Sequence, residues 1–220
     1  CKIGGIRWIR ILYCYPEEIT EELIQTIKEE PKICHYLDLP IQHASDDVLK
    51  RMGRRTSKEE LIHIISRIRE EIPDITLRTT LITGFPGESK EQHEELMDFV
   101  DEMAFDRLGV FTYSAEDGTP AAQMPDQVEE SVKEARRAEL MELQQEIAFD
   151  QAEQMIGREV LVMIEGKVAD ENAYVGRTYK DAPNVDGLIF VNTDTELLSG
   201  DFAKVRVTGA CEYDLIGELM

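Results

Sequence analysis

The chain has 220 residues, with 45 acidic against 24 basic side chains and a formal charge of −21 at neutral pH. That balance argues against sequence-independent nucleic-acid binding, which needs clustered cations to displace counterions from phosphates, and favours a basic or neutral macromolecular partner. The 42% hydrophobic and 31% charged composition is that of an ordinary soluble protein with length for two domains. No run of about 18 apolar residues is present to span a membrane.

Residues Cys1 to Ile6 lack an initiator Met, a basic start and an apolar stretch, and read as a cut into a longer chain. The segment Arg7 to Cys14, rich in β-branched and aromatic residues, is a predicted strand ended by Pro16. Thr20 to Glu30 sets Leu23, Ile24 and Ile27 at helical spacing before Pro31, and Tyr36 to Ile41 is a short strand. Ser45, with Asp46 and Asp47 behind it, supplies a side-chain acceptor and negative charge to a helix start, and Gly53 is its stop. Ser57 with Glu60 forms a capping box ahead of a stripe of Leu61, Ile64, Ile65 and Ile68 that runs to Pro73. A strand from Ile75 to Thr83 meets Gly84-Phe85-Pro86-Gly87, a second capping box at Ser89 and Gln92 opens another helix, and Arg107 to Tyr113 is the fourth strand.

Strands alternating with helices of this length imply parallel βα units, with the chemistry at the strands' C-terminal ends. A third capping box is expected at Asp126 and Glu129. The charged helix behind it, running to about Gln154, reads as a solvated strut. After Gly157 five short runs follow, Val160 to Ile164, Ala173 to Thr178, Leu188 to Asn192, Ala203 to Thr208 and Glu212 to Ile216, which suggest a small antiparallel, OB-like barrel. The division expected is residues 1–124 for a partial parallel (βα) barrel, 125–152 for a linking helix and 153–220 for the small barrel.

Cys1, Cys14, Cys34 and Cys211 sit far apart with no paired spacing. They argue against a disulfide framework or a local metal motif and for free thiols in a reducing, cytoplasmic compartment. His63 and His93, on helices, read as surface or edge packing, whereas His43 lies beside Gln42 at a strand's end. The segment Leu39 to Arg55 concentrates Gln42, Ser45, Arg54 and Arg55, groups able to bind a zwitterion's carboxylate or a ribose hydroxyl. A capped helix with a solvated basic end explains the same residues. Thr79 to Glu88, with glycines that let a ligand approach the backbone, and Phe111 to Pro120 are two further strand ends of this kind.

Together and in this order these segments closely resemble the radical S-adenosylmethionine (SAM) methylthiotransferases. The phrases Ile11-Leu12-Tyr13-Cys14-Tyr15-Pro16, Leu39-Pro40-Ile41-Gln42-His43 and Val48 to Arg54 are similar to the RimO branch, while the tRNA-modifying MiaB branch usually has Ser-Gly at His43-Ala44. Residues from about 153 on resemble the TRAM domain of that family. The resemblance implies a radical SAM barrel in which Gln42 and Arg54 contact the methionyl part of SAM and Thr80 the ribose. Gly84 and the stretch through Phe111, Tyr113 and Ser114 then line the adenine, and Ser45 counts among the cofactor-binding residues. It further implies methylthiolation of an aspartate β-carbon on the twelfth protein of the small ribosomal subunit, with two [4Fe–4S] clusters.

The family's three-cysteine cluster motif is expected upstream of Cys1, so no catalytic residue and no metal ligand is assigned here, and the segment by itself is expected to be inactive. The small barrel carries −7 and the remainder −14. That sign suits a very basic ribosomal protein as partner better than tRNA. The rival readings are a MiaB-like tRNA enzyme and a non-catalytic protein-binding module. Dimerisation or aggregation through an open sheet edge at Arg7 to Cys14 is also expected.

Overall fold

A computed structural model describes residues 1–220 and resolves into two compact units, Cys1–Gln145 and Glu146–Met220. In the first, β1 (Ile9–Ile11), β2 (Ile33–Asp38), β3 (Thr76–Thr83) and β4 (Arg107–Thr112) form one parallel sheet in the order β1-β2-β3-β4. The connections carry α1 (Glu21–Glu29), α2 (Asp46–Arg51), α3 (Lys58–Glu71) and α4 (Lys90–Met103).

The helices form for the reasons their sequences suggest. Thr20 accepts from the Leu23 amide, and Ser57–Glu60 and Ser89–Gln92 are complete reciprocal capping boxes. Leu61, Ile65 and Ile68 of α3 and Leu96, Phe99 and Val100 of α4 are buried, as are Leu37, Leu77 and Leu81 of the sheet. Helix α4 ends on Ala104 at φ 44°, a left-handed position where a Cβ is costly. Arg69 holds that end by donating to the carbonyls of Met103 (2.5 Å) and Ala104 (3.1 Å).

Several expectations require correction. The first strand is three residues, with its register shifted between Ile9 and Ile11. The second is displaced to Ile33–Asp38 because Pro40 has no N–H to continue the ladder. The Thr79 hydroxyl spans that gap, donating to the Leu39 carbonyl (2.7 Å) and accepting from the Ile41 amide (3.4 Å). Pairing resumes at Gln42, whose N–H donates to Thr80 O (2.9 Å) and whose carbonyl accepts from Ile82 (2.8 Å). Ser45 occupies the N-cap of α2 but its hydroxyl caps nothing, since its amide is drawn to His43 Nδ1 at 2.9 Å.

The third capping box is absent. Asp126 sits at φ 60° with its carbonyl accepting from Gly87, and α5 (Glu130–Glu153) begins later. Nor is α5 merely a solvated strut: within the first unit it buries Lys133, Leu140 and Gln144, the last donating to Phe105 O at 2.8 Å.

The second unit is a closed five-stranded barrel of β5 (Glu159–Lys167), β6 (Ala173–Arg177), β7 (Ile189–Asn192), β8 (Phe202–Cys211) and β9 (Asp214–Leu219), in the order β5-β6-β7-β9-β8. It is not wholly antiparallel, because β7 and β9 run parallel. Alternating residues, among them Val162, Ile164, Val191, Val205 and Val207, fill the interior. Gly217 is required by close approach: a Cβ there would lie 2.4 Å from Val205 Cγ1 and 2.8 Å from the Arg206 carbonyl. The last strand starts at Asp214 because Glu212, at φ 55°, belongs to the turn before it.

Candidate functional site

The C-terminal ends of β2, β3 and β4 meet in register. Gln42 bridges to Leu81, Thr80 pairs with Gly109, Ile82 with Phe111 and Thr83 with Thr112, and the Tyr113 amide donates to Thr83 O at 2.9 Å. Along β3 the side chains alternate: Thr79, Leu81 and Thr83 are buried on one face, while Thr80 and Ile82 stand partly exposed on the other. Phe111, 62% exposed, flanks Ile82 on that face. Beside Thr80, Gly109 leaves open space, since nothing would lie within 4 Å of a Cβ there. The result is a shelf with one hydroxyl, one aromatic ring and an unfilled place between them, suited to a flat heterocycle bearing a polar sugar.

Gln42 adopts φ 72°, a left-handed conformation rare for a side chain of its type, and is held there by the two backbone bonds to β3. Arg54 lies beyond the end of α2, its amide bonded to Leu49 O (2.8 Å) and its guanidinium over the Tyr15 ring at 5.3 Å. Ser114 is exposed. These residues remain available to a ligand.

Three others named from the sequence are closed off. Ser45 is buried with its amide committed to His43. Tyr113 packs edge-on against Phe85 (centroids 5.2 Å) in a cluster with Val48. Gly84, at φ 73°, is covered by the Lys133 side chain, whose Cγ would lie 2.3 Å from a Cβ at that position. Its glycine therefore serves the turn and the approach of α5.

The sequence reading missed the groups that close that side. Glu88 is buried; its Oε2 accepts from the Gly84 and Phe85 amides, the latter at 3.1 Å, and its Oε1 faces Arg136 Nη1 at 3.0 Å. Arg136 also donates to the Glu88 carbonyl (3.1 Å), and Lys133 Nζ to the Tyr113 carbonyl (2.9 Å). Burial pushes the Glu88 carboxyl above its usual range, with Arg136 and the two amides pulling against it. His93, expected at a surface or edge, is buried between Glu88 and Glu139, its Nε2 at 2.7 Å from Glu139 Oε2. Capping-box spacing disclosed Ser89, but nothing marks Glu88 as the residue that binds the turn before it.

Of the cysteines, Cys1 and Cys211 are exposed, Cys14 half-buried and Cys34 buried, all as free thiols. No three His, Cys, Asp or Glu side chains converge to hold a metal ion, so these residues do not fit an iron–sulfur cluster. No helix is long and apolar enough to cross a membrane.

Residues 2–100 match the family model of the radical SAM superfamily, and residues 156–220 that of the TRAM domain. The sheet with its open strand tips is accordingly a radical SAM segment, and the closed barrel a TRAM domain. Over 99% of its length the chain is 65% identical to a protein of Lachnoclostridium phytofermentans named ribosomal protein uS12 methylthiotransferase RimO. It is 50% identical over 100% of its length to the protein of the same name from Desulfitobacterium hafniense. The chain is thus similar along its whole length to proteins named RimO and carries matches to the radical SAM and TRAM family models. It spans 49% of each of these two relatives. Among solved structures, coproporphyrinogen III oxidase (HemN) from Escherichia coli is similar at TM-score 0.48 and 22% identity, over 69% of this chain and 34% of that one, and nothing further rests on this likeness.

Proposed function

We propose that this chain forms the SAM-binding strand tips and the TRAM domain of an enzyme that methylthiolates an aspartate β-carbon on ribosomal protein uS12. The observation that carries the reading is the open shelf at Thr80, Gly109 and Phe111 beside Gln42, in a chain so similar along its whole length to proteins of that name. Thr80 would meet the ribose, Phe111 and Ile82 the faces of the adenine, and Gln42 and Arg54 the polar methionyl end, where a guanidinium pairs with a carboxylate. Bound SAM supplies the radical precursor and the methyl group. This chain's own residues bind it, orient it and keep water from the buried side of the tips.

The four cysteines offer no cluster site, so the iron–sulfur ligation that the chemistry needs is not theirs to supply. A TRAM domain of charge −6 over residues 156–220 favours encounter with a cationic protein over a polyanionic tRNA. The test is to supply the full-length enzyme with SAM, a reductant and a sulfur source, together with either uS12 or tRNA, and to seek the methylthio mass gain on each. Gain on uS12 alone supports the reading; gain on tRNA alone contradicts it.

A further inference from the structure

His43 follows the left-handed Gln42, and its imidazole is entirely buried. Nδ1 accepts the Ser45 amide at 2.9 Å, so the proton of the neutral ring resides on Nε2. That Nε2 is buried with no protein partner. An unsatisfied buried donor costs about 1–3 kcal/mol and is rarely tolerated without a compensating group.

Complementary groups are buried in the same unit. Glu88 Oε1, although 3.0 Å from Arg136, accepts no hydrogen bond of good geometry, and His93 Nδ1, 3.9 Å from that oxygen, is likewise unpartnered. The Thr83 hydroxyl and Tyr113 OH are also buried without partners. The groups acting on His43 are His93 on α4, Arg51 on α2 and Arg136 on α5, and His93 and Arg136 also face Glu88. The unpaired donor on His43 and the unpaired acceptor on Glu88 therefore share two neighbours, His93 and Arg136. Enclosed water with two to four polar partners satisfies such a set.

We propose that His43 is a positioning residue that ties the two strand tips together: Nδ1 fixes the turn carrying Gln42, and Nε2–H joins, through enclosed water, the Glu88–His93 pair that holds the Gly84–Gly87 loop. Its bearing on SAM rests on the function proposed above; the coupling between the tips does not.

Two near-isosteric variants separate the nitrogens. Asparagine places an oxygen where Nδ1 accepts, while glutamine places an amide nitrogen where Nε2 donates. In the full protein, His43→Asn will raise amide hydrogen exchange at Gly84 and Phe85 at least tenfold relative to Ile65 and raise the Kd for SAM, while His43→Gln will leave those two amides protected and free that of Ser45. A double-mutant cycle with Glu88→Gln will be non-additive for His43→Asn. Unchanged protection at Gly84 and Phe85 in His43→Asn, or a uniform rise across residues 1–145 in both variants, would overturn the proposal. Coupled exchange without SAM binding would instead remove the functional reading and leave the positioning role standing.

Discussion

The two units solve opposite problems. Ten of the twelve buried polar or charged side chains lie in the sheet unit, and the TRAM domain buries only Thr178 and Asp181, whose side chains bond each other at 2.7 Å. The sheet unit gives up stability to hold Glu88, His43 and Lys133 behind its strand tips, as expected where backbone turns must be fixed for a ligand. The barrel instead has an apolar interior and leaves its charge on the surface, where each ion costs little and acts at a distance.

The largest expected effect tests that contrast directly. Glu88→Ala strips the acceptor from the Gly84 and Phe85 amides and leaves Arg136 facing no carboxylate, which should destabilise the sheet unit by about 3–5 kcal/mol in chemical denaturation. Glu159→Ala breaks the exposed pair with Arg206 in the barrel and should cost less than about 1 kcal/mol. Equal costs would erase the distinction between the units.

Next is pH. Burial, and then the fields of His93, Arg51 and Arg136, lower the His43 pKa from 6.5 to about 3. A depressed value means that the unfolded chain takes the proton first. The stability tied to the neutral ring is therefore present above pH 6.5 and declines by about 1.4 kcal/mol per unit as pH falls toward 3. Glu88, shifted upward, works in the other sense: its contribution is present below the ordinary carboxyl value and is lost as pH rises through the raised one. His43→Gln should flatten the acid limb of a stability profile; an unchanged slope would show that His43 is not the group titrating there.

In the barrel, Gly217→Ala should cost about 1–3 kcal/mol through overpacking against Val205 and the Arg206 carbonyl, and thermal melts will show it. Smaller still, neutralising exposed Asp and Glu of the TRAM domain should slow association with a basic ribosomal protein severalfold at low salt and little at high salt, as stopped-flow mixing would measure. The smallest effect is expected at β1. Three residues make a weak edge, so self-association through it should be detectable by sedimentation only at high concentration.

The helices and the order of the elements were legible because capping boxes and 3.6-residue stripes are local signals, as Ser57–Glu60 and Leu61–Ile65–Ile68 illustrate. Strand limits were not, because Pro40 and the Thr79 hydroxyl set the end of β2 together from points 39 residues apart in the chain. The site divides the same way. Gln42, Thr80, Phe111 and Ser114 stand at predicted strand ends and Arg54 after α2, their roles coming from the resemblance, but the opening at Gly109 depends on its register opposite Thr80. The covering of Gly84 depends on Lys133, on a helix whose charge pattern reads as solvated. The parallel pairing of β7 with β9 is a matter of topology that short alternating runs cannot encode.

The central claim is that the open shelf on β3 and β4 beside Gln42 holds SAM. Equilibrium binding of SAM to the full-length protein, compared with Gly109→Val and Arg54→Ala, measures it directly. The account predicts that Gly109→Val fills the shelf and abolishes binding while Arg54→Ala weakens it about tenfold or more, both with an unchanged far-ultraviolet spectrum. Wild-type affinity in Gly109→Val would place the ligand elsewhere and contradict the account.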